Sequence, residues 1–424
     1  MMTVAALAVG CGDDDGDTDT TGVDMSVPTD MPDSSNTLVD VAAADGRFTT
    51  LLAAAERAGL VGLLTGPGPY TVFAPTDDAF DALGIDLSTL SDDQVRGILA
   101  YHAIPAEVPS SAIPATALTA AELTLVFDTS DGVVVNDANV IAADIEADNG
   151  IIHVIDKVLL PPDIPTMAGY LGASSLAGAL ESADLVSALQ AEGPFTVFAP
   201  TNDAFTAAGD VPSDALPGIL LYHVVDGAVP STAIPMMAPT LSENEWENAM
   251  PLFFDTTDGV AVNNGTVVLA DVVTTNGIIH VVDTVLVPPT VADAATYAGL
   301  TELLGAVGAA AEIEAGVTVA DVLSGEGSLT VFAPTDAAFE AISDTVDGLT
   351  AEQVRDVLLY HVIDLDTPVL STDLTDGDVG TVNGQDVTID TAGPTVNDAA
   401  IGPADIHVSN GVVHVIDAVL VPTL

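Results

Sequence analysis

The chain has 424 residues, with 5 Lys plus Arg against 63 Asp plus Glu, a formal net charge of −58. That balance excludes nucleic acid as a partner, because phosphate binding needs clustered cations, and it argues against adsorption on an anionic membrane surface. Hydrophobic residues make up 49%, so this is no disordered acidic tail, and the chain is long enough to bury several cores.

At the N-terminus, residues 1–10 are short and apolar and end at Cys11, the single cysteine of the chain. Ten residues cannot span a hydrocarbon core, which needs about 20, but they match the apolar region of a secretory signal. The run Leu7-Ala8-Val9-Gly10-Cys11 resembles a bacterial lipobox, which makes Cys11 the expected lipidation site. It departs from that pattern at Ala8 and in lacking a basic region ahead of it. From Gly12 to Ser35 there are eight Asp and no Lys or Arg, a composition expected to form a flexible, self-repelling tether. Asp17 to Gly22 mimics half of a calcium loop, but Pro28 stands where the bidentate Glu belongs, so no calcium site is expected there. A lone cysteine also excludes an intramolecular disulfide and any multi-cysteine zinc site.

The rest of the chain is a threefold repeat. Tyr70 to Phe80 recurs as Phe195 to Phe205 and as Leu329 to Phe339, each holding Thr-Val-Phe-Ala-Pro-Thr. A Tyr-His pair follows each time: Tyr101-His102, Tyr222-His223 and Tyr360-His361. Each repeat closes on an Asn-Gly and an apolar strand through His153, His280 or His414. Phe73, Phe198 and Phe332 are 125 and 134 residues apart, far beyond solenoid periods. The chain therefore divides into a leader over 1–11, a tether over 12–35, and domains over 36–162, 163–289 and 290–424.

Within a repeat, Tyr70 to Ala74 reads as a strand stopped by Pro75. Thr76 is placed to cap a helix, with Asp77 and Asp78 at the favourable end of its dipole and Phe80 set to pack on Pro75. Ser91-Asp-Asp-Gln94 is a capping box that opens a second helix, and Thr350-Ala-Glu-Gln353 repeats it. The second domain keeps Ser213 and Asp214 but has Leu216 in place of the Gln. Val95, Ile98, Leu99 and His102 share one apolar stripe, which turns the histidine toward the core; the tyrosine sits at the edge of the stripe. The Asn-Gly pairs suit type I′ hairpin turns, and the closing strands, apolar on both faces, are expected in the centre of a sheet. Helices and hairpins mixed without βαβ alternation read as α+β.

The Thr-Val-Phe-Ala-Pro-Thr box, the Tyr-His pair and the terminal Gly-Ile-Ile-His-Val-Ile-Asp strand together resemble the fasciclin (FAS1, beta-Ig-H3) domain, over about residues 36–424. The resemblance implies three tandem domains, each a small twisted β-sandwich or wedge with a cap of helices. It also implies extracellular adhesion or matrix binding. In animal members the Tyr-His region has been linked to integrin recognition, which makes Tyr101, His102, Tyr222, His223, Tyr360 and His361 the candidate adhesion or structural residues here.

No catalytic motif stands out: there is no Gly-x-Ser-x-Gly elbow, His-Glu-x-x-His, Walker loop or Gly-x-Gly-x-x-Gly ahead of a helix. Six of the seven histidines belong to the repeated positions, His407 being the exception. A residue repeated three times is more economically explained by fold than by three active sites. The expectation is a non-enzymatic, cofactor-free adhesion protein, exported and lipid-anchored at a bacterial envelope, with a cell-surface or matrix protein or polysaccharide as partner. The alternatives are a binder of a small hydrophobic, pigment-like ligand and a structural envelope lipoprotein with no specific partner. Trp246, the single tryptophan, lies in a segment without counterpart in the other repeats and reads as a loop anchor or an exposed contact.

Overall fold

The computed structural model describes residues 36–346 and 348–423; the lipobox, the tether and the calcium-loop mimic lie outside them. The first domain shows the plan. Helices α1 (Leu38–Asp45), α2 (Thr49–Arg57) and α3 (Val61–Leu64) precede strand β1 (Tyr70–Pro75). Helices α4 (Asp77–Leu83) and α5 (Asp92–Tyr101) follow, then β2 (Ala103–Ile104), β3 (Thr116–Leu118), β4 (Thr124–Asp128), β5 (Val134–Val135), β6 (Ala138–Ala147) and β7 (Gly150–Ile155). The seven strands form one sheet in the order β2-β1-β7-β6-β5-β4-β3. β7, buried along its whole length, lies parallel to β1 and antiparallel to β6. The central position follows from its lack of a polar face.

Alternation along β1 builds two cores. Val72 and Ala74 face the helices with Leu38, Ala42 and Ile152, while Phe73 points into the curl of the sheet with Tyr101, Leu125, Phe127 and Ile155. Period-2 geometry thus turns one strand into the wall between two layers. The corner after β1 forms as its residues dictate: Thr76 Oγ1 accepts the Ala79 N–H at 3.2 Å, and Phe80 is buried with Val158. Ser91 and Thr350 close their capping boxes with Gln94 and Gln353. Without that box, the second domain's helix starts only at Leu216 and has no side-chain cap.

The Asn-Gly pairs depart from the type I′ reading. The two turn residues are Asp148 and Asn149, and Gly150 already belongs to β7, paired with Ala147. Neither turn residue has the positive φ that a type I′ turn needs. The glycine is there for close approach, since a Cβ on Gly150 would lie 2.0 Å from the Tyr70 carbonyl oxygen. Asn149 is a staple instead. Its Oδ1 accepts the Leu38 N–H at 2.9 Å and its Nδ2 donates to the Leu64 and Gly66 carbonyls, both at 2.8 Å. Asn276 and Asn410 make the same bonds in their own domains.

The three sheets differ in closure. In the second domain the strand Met237–Glu243 is long enough to pair with Val224–Asp226, and the sheet closes into a barrel. The extra length comes with the Trp246 segment, which forms the hairpin between Met237–Glu243 and Ala249–Asp255. The third domain splits its strands into two four-stranded sheets.

Candidate functional site

Helix α5 ends at Tyr101, and His102 is its C-cap. The structure places both in the interior: Tyr101 is 0% and His102 1% exposed, Tyr222 and His223 0% and 1%, Tyr360 and His361 6% and 2%. The tyrosine, at the edge of the apolar stripe, is at least as deep as the histidine in the first two domains, because the curled sheet covers the side of α5 that the helices leave open. None of the six offers a surface to a partner.

Their polar atoms are all spent internally. His102 Nδ1 donates to the Ile98 carbonyl at 2.8 Å, and its Nε2 accepts the Leu159 N–H at 2.9 Å. An Nε2 that receives a proton has none of its own, so the ring is the neutral Nδ1–H tautomer. His223 and His361 repeat the arrangement with Leu286 and Leu420. Burial pushes all three histidines down to about 4, against a smaller opposing pull from the helix carbonyl. A protonated ring would set N–H against N–H at Leu159.

The tyrosines close a second bridge. Tyr101 Oη donates to the Thr124 carbonyl and accepts from Asn136 Nδ2, both at 2.8 Å. Asn136, at φ +53°, also takes the Val126 N–H on its Oδ1 at 3.0 Å. Asn263 and Asn397 do the same for Tyr222 and Tyr360. Burial pushes the Tyr101 and Tyr222 phenols up.

The closing-strand histidines take the opposite tautomer. His153 Nδ1 accepts the Asp144 N–H at 3.3 Å and its Nε2 donates to the Val108 carbonyl at 2.9 Å, with the ring 5.3 Å from Phe73. Asp144 sits at φ +57°, held there by the Ser110 N–H and hydroxyl on its carboxylate. Those bonds keep its carboxyl below the usual carboxylate range. His280 with Asp271 and Ser231, and His414 with Asp405 and Ser371, are copies. Sequence reasoning missed the Asn136, Asp144 and Ser110 positions. Their signal was in the repeat: Val-Asn at 135–136, 262–263 and 396–397, and Ala-Asp at 143–144, 270–271 and 404–405.

Outside these bridges the material for chemistry is thin. Among the described residues no group of three His, Cys, Asp or Glu is placed to hold a metal, and no helix is long and apolar enough to cross a membrane. An apolar crevice in the first domain, between α1, α2, α3 and the sheet, is lined by Leu38, Leu52, Leu63 and Val72 and encloses about 50 Å³. A drug-sized ligand needs roughly 300 Å³ or more. Trp246 is half-buried in its hairpin turn, where its backbone N–H donates to Asn244 Oδ1 at 3.1 Å. His407 is half-buried on the strand Ile406–Val408, and burial lowers its proton affinity.

Three copies of one α+β unit, each pinned by the same buried Tyr, His and Asn, define a tandem-repeat protein whose shared polar residues serve the fold. The chain belongs to the fasciclin family: the Fasciclin domain model matches residues 46–161, 171–288 and 306–422. It is 46% identical over 137 residues to Protein sll1483 of Synechocystis sp., covering 31% of this chain and 76% of that protein. It is 28% identical over 412 residues to the transforming growth factor-beta-induced protein ig-h3 of Sus scrofa, covering 92% of this chain and 58% of that protein. A solved FAS1 domain pair from the insect cell adhesion molecule fasciclin I matches 57% of this chain and 98% of its own, at 21% identity and a TM-score of 0.38.

Proposed function

We propose that the chain is a non-enzymatic adhesion or matrix-interaction protein displayed outside the cell, a role that membership of the fasciclin family supports, and that it is tethered through Cys11, on the strength of the lipobox-like run that ends there. One observation carries this reading. The Tyr, His and Asn residues common to all three domains spend their polar atoms on internal hydrogen bonds, and the shared Ser110 and Asp144, nearer the surface, are bonded to each other. What each domain offers a partner is its variable, acidic outer surface, and three domains in one chain multiply weak contacts through effective concentration. The partner class is a cell-surface or matrix protein or a polysaccharide. Binding of a pigment-like ligand is the weaker reading: the apolar crevice of the first domain is too small without rearrangement, and the clefts of about 310 to 430 Å³ in the second domain are open to solvent rather than enclosed.

The test coats beads with residues 36–424 and measures retention on envelope and matrix preparations. Retention above albumin-coated beads, with domain pairs retained less than the whole, is the expected result. No retention over the albumin control overturns the adhesion reading and leaves a structural envelope protein. A visible absorption band in the purified protein would instead favour the ligand-binding alternative.

A further inference from the structure

Each domain of the first two presents one strand residue to the domain that follows it. Val126 on β4 packs against the core of the second domain, as does Tyr170 at the end of helix Ile164–Tyr170. The equivalent residue, Phe253, is buried in the core of the third domain, its ring 5.8 Å from that of Tyr297 at the end of helix Val291–Tyr297. Equivalence is fixed by hydrogen bonding: Val126, Phe253 and Thr388 each give their N–H to the asparagine that also holds the buried tyrosine. Side chains then cross each boundary to backbone groups in the next domain's sheet. Thr124 Oγ1 accepts the Val273 N–H at 2.9 Å, and Asn244 Nδ2 donates to the Val408 carbonyl at 3.2 Å.

Residue type follows this contact. In the third domain the same strand position is Thr388, exposed and donating its hydroxyl to Asp378. In the first domain the position of Tyr170 and Tyr297, six residues after the one bonded to the staple asparagine, is Ala44, also exposed. Apolar and aromatic residues stand where a neighbouring domain covers them, and small or polar ones where none of the described residues does. A chance approach of independent domains would leave no such pattern, because uncovered positions favour polar residues.

We propose that the seating of Val126 against the second-domain core and the Phe253–Tyr297 contact are built joints that hold the three domains as one rigid array. The Tyr-Asn bridge is a positioning element for them, since it fixes the strand residue that docks the next domain. Any multivalent binding by this chain then works at fixed spacing rather than through flexible linkers.

The test is a spin-label distance measurement on the full chain with Cys11→Ser. Labels are placed at the exposed helical positions Asp93 and Ser187 for the first joint, and Ser187 and Glu352 for the second. The expected result is a single narrow distance distribution for each pair. Phe253→Thr, which installs the residue type of the third domain, and Tyr297→Ala, which acts from the other side, should each abolish the narrow peak of the second pair. The first pair should be unchanged. Circular dichroism melting verifies that the variants are folded, and two variants on separate domains keep the test valid when one fails to fold. Broad distributions in the unmutated joint overturn the proposal, as does a narrow second-pair peak that survives both substitutions.

Discussion

The imidazole of His223 accepts the amide proton of Leu286 on Nε2 at 2.9 Å, joining the end of a helix to the chain 63 residues further on. The bond is buried, so removing its acceptor orphans an N–H with no water to replace the ring. His223→Ala should therefore cost about 1–3 kcal/mol for the unsatisfied group, with lost packing added. Trp246 is the single tryptophan and belongs to the same domain, so its fluorescence in urea reads the unfolding of this domain together with the joint that its hairpin makes to the third. An unchanged midpoint would show that the histidine is not a structural element.

The same bond makes stability pH-dependent. His102, His223 and His361 are held at about 4 by burial, against an unfolded value near 6.5. The unfolded chain binds more protons between those values. Their contribution is therefore fully present above about pH 6.5 and is lost as pH falls toward 4, by roughly 1.4 kcal/mol per pH unit for each histidine. Urea midpoints from Trp246 fluorescence should fall steadily from pH 7 to pH 5 in molar salt, where relief of charge repulsion contributes little. His223→Ala should flatten that slope for its domain. A slope equal to that of the unmutated chain would contradict the linkage.

Fold class, the threefold repeat, the strand-to-helix corner and the central closing strand were legible because local rules and global packing agree there. Thr76 caps where a Thr before Asp-Asp must cap, and β7 is central because it has no polar face. The Asn-Gly turn was misread because Gly150 is selected by the backbone of β1, a contact 80 residues away in sequence, rather than by turn conformation. Tyr101 stayed ambiguous for a similar reason. Helical periodicity shows one side of α5, whereas the sheet that buries the tyrosine returns on it only through Thr124 and Asn136. Joint residues such as Phe253 look like ordinary strand residues until the neighbouring domain is in place.

The lipobox reading makes a cell-fractionation prediction. Should Cys11 carry the lipid, Cys11→Ser moves the protein from the membrane pellet to the soluble fraction, because a single peptide of this charge has no other affinity for an anionic bilayer. Retention of the substituted protein in the pellet would falsify the tether.

Charge sets the last expectation. Four of the five cations are already committed to ion pairs: Arg47 with Asp45, Arg57 with Asp92, Lys157 with Asp137 and Arg355 with Asp356. Arg96 is bonded to the Ala58 carbonyl at 3.1 Å. Such partly exposed pairs contribute about 0–1 kcal/mol each, and the net −58, which already counts all five cations, is left uncompensated. The second domain, residues 163–289, contains no Lys or Arg at all. Its carboxylates repel one another across the surface, and the repulsion is greater in the compact state than in the expanded chain. At 0.15 M salt the screening length is about 8 Å, and at 1 M about 3 Å, so neighbouring charges on the surface become independent only in molar salt. The melting temperature should therefore climb with sodium chloride well beyond 0.15 M, and the Trp246 signal of the second domain should climb most. Sucrose at matched osmolality is the control, since it strengthens burial without screening charge. A salt curve that is flat, or no steeper than the sucrose curve, would mean that the acidic surface serves solubility rather than life in strong salt.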